Sequence, residues 1–169
     1  MKILKSLIIL TFVLGVVTLN SCKKDKKEAP ISLTADIDGT ATIFSVTPVA
    51  LTGPVGDQTF TVIQGATSTG ATISLTLEGT ITAGKTYSDA ASSDDDKPLF
   101  LYATSANDDD YLNNDDDAAN LPSVTITAIT STTIDGTFKG SVVKGIGNGT
   151  PPTKLISNGK FHVNLQSHP

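Results

Sequence analysis

The 169-residue chain contains no arginine and no tryptophan, one cysteine and two histidines. Without arginine it has no guanidinium for bidentate phosphate contacts, which argues against a nucleic-acid binder. One cysteine excludes an internal disulfide bond and a multi-cysteine zinc site. One of the two histidines lies next to the C-terminus, so histidine-based catalysis has almost no groups to use. The composition therefore predicts a protein that is not an enzyme and binds no nucleic acid.

The first 21 residues have the pattern of a signal peptide. Lys2 and Lys5 precede an apolar stretch, Leu7 to Val17, that is too short for a comfortable transmembrane helix. The stretch leads into Leu19-Asn20-Ser21-Cys22, which resembles a bacterial lipobox, and Cys22 is the one cysteine of the chain. We expect Cys22 to be the lipid attachment site, where two or three acyl chains such as palmitate would anchor the protein permanently. An ordinary secretory signal and a single membrane-spanning anchor are the alternatives.

Residues 22–30 predict a lipidated cysteine followed by a charged tether, KKDKKEAP. Eight extended residues span at most about 28 Å, so the tether would hold the following domain, residues 31–166, close to the membrane. The partner implied by this segment is the membrane itself, reached through Cys22. Four lysines in the tether would favour anionic lipid headgroups.

Period-two alternation of apolar and polar residues indicates that the body of the chain is all-β. No twelve-residue window of the body shows helical periodicity, and the 25 threonines suit a pleated surface. The pattern predicts an antiparallel β-sandwich or small barrel of about eight strands. The candidate strands lie within 31–37, 41–46, 60–64, 72–78, 99–102, 124–128, 134–142 and 161–165.

Acidic residues are concentrated in one part of this body. From residue 29 onward there are six lysines and 15 acidic residues, a net charge of −9, and nine aspartates lie within residues 94–117. The segment 89–121 interrupts the strand pattern and is predicted to be an acidic loop. Calcium prefers six to eight oxygen ligands, and the aspartates with matching spacing are candidate calcium ligands: Asp108, Asp110, Asp115 and Asp117. The alternative is a solvated loop that binds no metal.

The sequence gives less support for a catalytic or sugar-binding site than for a calcium site. His162 alternates with Phe161 and Val163, so we expect its side chain on the solvent face of the last strand, and no G-x-S-x-G sequence is present. Of the three tyrosines, Tyr111 lies among acidic residues and is expected to be exposed. We therefore predict no catalytic residues.

Four short motifs, in this order, resemble small all-β lipoproteins of Bacteroidetes that form an uncharacterised family, a domain of unknown function. They are Leu33-Thr34-Ala35-Asp36-Ile37-Asp38-Gly39, Gly84-Lys85-Thr86-Tyr87, Ile134-Asp135-Gly136-Thr137-Phe138 and Ser157-Asn158-Gly159-Lys160-Phe161. The sequence departs from the family after Gly39, where Thr40-Ala41 replaces a large apolar residue. The resemblance implies a fold and a location but no activity. In physical terms the glycines predict turns or bulges, and Tyr87, Phe138 and Phe161 predict core aromatics.

Together these observations predict a membrane-anchored, extracytoplasmic lipoprotein with a non-catalytic binding or envelope-structural role. We expect it on the outer membrane, at the periplasmic face or the cell surface; the basic tether favours the periplasmic face, because surface display in such lipoproteins is associated with an acidic stretch after the cysteine. One alternative is a calcium-dependent binding or adhesion module that uses the Asp-rich segment. Another is a barrel that binds a small apolar ligand, and apart from calcium no cofactor is expected.

Overall fold

A computed structural model describes residues 29–91, 93–105, 110–145 and 151–167. The predicted signal peptide, Cys22, most of the tether and Asp108 lie outside these residues. The described chain forms eleven strands and one 3₁₀ turn, Asp94–Asp96, and none of its described residues is in an α-helix. The all-β prediction is confirmed. The strands are β1 Ser32–Ile37, β2 Thr40–Ile43, β3 Val46–Val55, β4 Gln58–Ala66, β5 Thr72–Glu78, β6 Thr86–Ser88, β7 Leu99–Ala103, β8 Asp110–Asn113, β9 Ser123–Ile129, β10 Thr133–Lys144 and β11 Thr153–Ser167.

The strands are joined into one sheet that closes on itself. β11 pairs with β10 and with β3, and the pairings run from β3 through β4, β5, β7 and β8 back to β10. The β11–β3 pair is parallel, and the other described pairs are antiparallel. Two extensions lie outside the ring: β1 and β2 continue from β11, and β9 and β6 continue from β10. Seven strands, β11, β3, β4, β5, β7, β8 and β10, thus form a closed ring, and the fold is sandwich-like or barrel-like.

One hydrophobic cluster fills the space enclosed by the sheet. β5 shows the alternation most clearly, with Ile73, Leu75 and Leu77 buried between polar residues that face outward. Contacts cross the core between strands that are not paired, since the rings of Phe100 in β7 and Phe138 in β10 meet edge to face at 6.2 Å. The predicted core aromatics are confirmed, because Tyr87, Phe138 and Phe161 are all buried.

The Asp38-Gly39 pair forms the two-residue turn between β1 and β2. Both residues have positive φ, 50° at Asp38 and 78° at Gly39, as a tight hairpin turn of this length requires. The Asp38 carboxylate then fastens the turn to β11, accepting hydrogen bonds from Lys154 Nζ at 2.7 Å and from the Leu155 backbone N–H at 2.9 Å. The hydrogen bond from Lys154 lowers the pKa of Asp38 below its ordinary value.

Two glycines in β10 and β11 are required by close packing against phenylalanine rings. Gly136 is paired with Phe161, and Phe138 with Gly159, so each ring lies against the glycine opposite. A Cβ at Gly159 would lie 2.5 Å from the Phe138 carbonyl oxygen, and one at Gly136 would overlap both the Phe161 ring and the Thr125 carbonyl oxygen. The two G-x-F motifs therefore form a matched antiparallel unit, and cross-strand contact explains their glycines.

Three strands were not anticipated from the sequence. The second predicted strand, 41–46, corresponds to β2, which ends at Ile43. A separate strand, β3, begins at Val46 and runs through Pro48 and Pro54. Both prolines lie outside the four residues of β3 that pair with β11, so they remove no hydrogen bond from that ladder. β6 is too short to show a pattern, and β8 lies inside the predicted acidic loop.

Candidate functional site

The Asp-rich segment is partly built into the sheet. Residues 89–121, predicted to form a loop with one short strand, contain the 3₁₀ turn and both β7 and β8. Among the predicted calcium ligands, Asp110 begins β8, whereas Asp115 and Asp117 follow its end. A four-residue strand is about 10 Å long, so the structure does not bring Asp110 together with the other two. Among the described residues no three histidine, cysteine or acidic side chains are grouped to hold a metal ion.

Asn113, at the end of β8, organises the centre of this segment. Its side-chain oxygen accepts the Phe100 backbone N–H at 2.7 Å. Its amide nitrogen donates to the Pro98 carbonyl at 2.8 Å and to Asp89 Oδ2 at 2.9 Å. One side chain therefore ties β8 to β7 and to the chain after β6.

A pair of carboxylates forms beside Asn113. Burial raises the pKa of Asp89 above its ordinary value, and the neighbouring charge of Asp115 raises it further, while Lys97 opposes the shift. Asp115 itself is exposed. Two neighbouring carboxylates of like charge attract a cation or a proton. Asp89 lies five residues before the first run of aspartates, so the spacing within the runs did not indicate it as a candidate ligand.

Hydrogen bonds to Ser141 of β10 hold the turn that follows β8. Asn114 donates to the Ser141 hydroxyl at 3.2 Å, and the Ser141 backbone N–H donates to the Asn120 carbonyl at 2.7 Å. Both Asp117 oxygens accept from Asn120 Nδ2, at 3.2 and 3.0 Å. Asn114 and Asn120, on either side of the aspartate run Asp115–Asp117, thus help to order this turn.

His162 lies on the outer side of β11, as its position predicts, but only a small part of its side chain reaches solvent. Its side chain is only 16% exposed, and Nδ1 lies 2.7 Å from Asp135 Oδ1 on β10. Nε2 is buried and has no hydrogen-bond partner within the described residues. The predicted outward orientation of His162 therefore holds, and the structure adds its partner, Asp135, whose side chain is 33% exposed. The pattern of a single strand cannot reveal this partner, because it depends on the cross-strand pairing of the two residues.

Tyr111 is also corrected, from an exposed residue to a core residue. It is 8% exposed, and its ring packs against the Tyr102 ring at 6.1 Å. Its neighbours in sequence are acidic, but in β8 its side chain turns inward while Leu112 faces out. All three tyrosines are therefore buried, and none offers a surface platform for stacking a sugar ring.

A groove runs across the outer face of β9, β10 and β11. It has a volume of about 310 Å³ and is lined by Ser123, Thr125, Thr137, Phe138, Lys139, Asn158, Gly159 and Lys160. The register shifts between Phe138 and Gly140, where β11 carries an extra residue. Asn158 has a φ of 53° at this bulge and is exposed, as are the lysines on either side of the groove. The bulge turns consecutive residues of β11 outward and so widens the face that the groove occupies.

The described residues contain no helix that is long and apolar enough to cross a membrane. Comparisons with protein-family models, curated proteins and solved structures give no match to this chain.

Proposed function

We propose that the chain is a lipid-anchored, extracytoplasmic lipoprotein with a non-catalytic binding or envelope-structural role. The observation that carries the proposal is the position of the one cysteine, Cys22, which directly follows Leu19-Asn20-Ser21 at the end of an apolar run. β1 begins at Ser32, only ten residues later, so the anchor would hold the sheet close to the lipid. The proposed location is the outer membrane, at its periplasmic face or the cell surface. The four motifs that resemble Bacteroidetes lipoproteins support the same assignment.

The strand register indicates which end of the domain would face the membrane. Ala29 and Pro30 lead into the start of β1, where Ser32 is paired with His162, and Thr133 at the start of β10 is paired with the neighbouring Asn164. The turn between β9 and β10 is therefore at the anchored end. The β1–β2 turn lies at the other end, about 20 Å away along the six residues of β1.

Site-specific quenching tests both the anchor and this orientation. Cys22 is consumed by acylation, so a fluorophore attached to Ser131→Cys or Thr40→Cys reports one position, and both native residues are exposed. In vesicles that contain spin-labelled lipid, we expect the fluorophore at position 131 to be quenched more strongly than the one at position 40. Adding Cys22→Ala should abolish quenching at both positions. Equal quenching of the two positions would contradict the orientation, and quenching that survives Cys22→Ala would contradict the anchor.

The filled interior favours this role over a barrel that binds a small apolar ligand. The enclosed space is occupied by large side chains with almost no exposure, among them Tyr87, Phe44, Phe100, Ile126 and Ile134. An apolar ligand would need a cavity of several hundred Å³. These side chains occupy that space and would have to move to admit a ligand.

A calcium-dependent binding or adhesion module is the second candidate function, and the observation that favours it is the raised pKa of Asp89, caused first by burial and then by the neighbouring charge of Asp115. A calcium ion between these carboxylates would remove their repulsion. At a concentration 100 times its Kd it would stabilise the fold by about 2.7 kcal/mol. Melting temperatures of the wild type, Asp115→Asn and Asp116→Asn should be compared in calcium, magnesium and sodium chloride at matched ionic strength.

The wild type and the two variants together test the calcium candidate. A calcium-selective rise in melting temperature that is lost in Asp115→Asn and kept in the exposed neighbour Asp116→Asn would support the calcium module. Equal shifts in all three salts would exclude it, because general screening of an acidic protein acts on every aspartate alike.

A further inference from the structure

Positive charge in the folded body is concentrated on two adjacent strands. The body from residue 29 carries a net charge of −9, yet four of its six lysines lie on β10 and β11. These strands contain one acidic residue, Asp135, and its carboxylate is bonded to His162. The four lysines are Lys139, Lys144, Lys154 and Lys160. The strip is therefore cationic on a surface that is elsewhere acidic.

Two of these lysines are not neutralised by the fold. Lys85, Lys97 and Lys154 form ion pairs with Asp96, Asp94 and Asp38. By contrast, the side chains of Lys139 and Lys160 make no hydrogen bond or ion pair within the described part of the chain. Both lysines line the same groove. An exposed lysine pair left unpaired in an acidic protein is available to an anionic ligand.

The rest of the groove supplies neutral hydrogen-bonding groups. Ser123 and Thr137 line it with hydroxyls that make no hydrogen bond to any described residue. The Asn158 side-chain nitrogen donates a hydrogen bond to Asp36 Oδ2 at 2.7 Å. The side-chain oxygen of Asn158 can therefore accept a hydrogen bond from a ligand. Hydroxyls and an amide beside two ammonium groups suit a ligand that carries both hydroxyls and a negative charge.

We propose that the groove between Ser123 and Lys160 binds an acidic saccharide, a sugar unit that bears a carboxylate or a phosphate group. Lys139 and Lys160 would hold the oxyanion, and Ser123, Thr137 and Asn158 would bind the sugar hydroxyls. The volume of about 310 Å³ lies at the lower end of the range for ligand sites, about 300–1,000 Å³, and suits one sugar unit. Recognition would rest on charge-assisted hydrogen bonds, because all three tyrosines are buried and cannot stack against a sugar ring. The inference rests on the binding role proposed above and names its ligand class.

Saturation-transfer NMR on the full processed protein in detergent tests the site, with glucuronate, glucose 6-phosphate and neutral glucose as probes. We expect saturation of the two acidic sugars, weakened about three- to tenfold in Lys139→Gln/Lys160→Gln. Thr137→Val, a nearly isosteric change in the groove, should also weaken binding. Lys97→Gln is the matched control, because it removes an exposed lysine that is already paired with Asp94 and should leave binding unchanged. Each variant is first shown to melt cooperatively.

Several results would overturn the proposal. Equal saturation of glucose, or full saturation in the double lysine variant, would show that the groove does not recognise the anion. Competition by inorganic phosphate as effective as that by glucose 6-phosphate would show that the sugar hydroxyls are not bound. Signal loss in Lys97→Gln equal to that in the double variant would show general charge attraction only. Because sugar binding in the NMR experiment does not depend on the anchor, an unlipidated Cys22 would overturn the proposed anchoring and leave the sugar-binding result standing.

Discussion

Deleting residues 158–169 is expected to abolish cooperative unfolding of the domain. The deleted part of β11 pairs with β1, β10 and β3, so its loss opens the closed sheet. It also removes the buried Phe161 and Val163, and Leu165, which packs against the core. Full burial of each such side chain contributes about 1.5–3 kcal/mol, and a typical domain is stable by only about 5–15 kcal/mol.

Circular dichroism melting of the truncated and full-length chains measures this effect. Deleting only residues 168–169 is the control, since it leaves every described strand complete, and it should melt like the wild type. A chain ending at residue 157 that still melts cooperatively near the wild-type temperature would contradict the placement of β11 at the centre of the fold.

Gly136→Ala is expected to lower the free energy of unfolding by about 1–3 kcal/mol or more. The added methyl group would overlap the Phe161 ring and the Thr125 carbonyl oxygen, and the latter belongs to the backbone of the paired strand β9. A rigid backbone atom cannot move aside as a side chain does, so the strands themselves must shift.

Gly145→Ala is the matched control for this substitution. No atom of the described residues lies within 4 Å of the position that its Cβ would occupy, and Gly145 is exposed. Its effect should stay within about 0.5 kcal/mol. Urea unfolding of both variants gives the comparison, and equal losses of stability would contradict the glycine–phenylalanine packing of β10 and β11.

The sequence allowed the class of fold to be predicted, but not its closure. Strands with strict alternation, such as β1 and β5, were located because each buries one face. β3 was missed because prolines normally end strands, and whether a proline interrupts a ladder depends on which neighbour is paired at that residue. The ring itself depends on the contact of β11 with β3, whose residues are more than 100 positions apart in the chain.

The candidate sites, like the closed sheet, could be predicted only in part from the sequence. The motifs around Gly136 and Gly159 were recognised in the sequence. The need for glycine at these positions, however, comes from the pairing of each glycine with a phenylalanine on the opposite strand. Likewise, Asp89 and Asp115 come from separate parts of the segment but are neighbouring charges, and Lys139 and Lys160 line one groove through the register of β10 and β11. Spacing within one strand predicts which face a residue occupies, whereas a site depends on which strands become neighbours.

Intact mass spectrometry of the protein extracted from membranes tests the anchored-lipoprotein proposal most directly. The proposal predicts a polypeptide that begins at Cys22 and is heavier than residues 22–169 by two or three acyl chains and their glycerol. Cys22→Ala should carry none of this added mass. A wild-type protein that is found in the soluble fraction, cleaved at another position and without lipid would contradict the proposal.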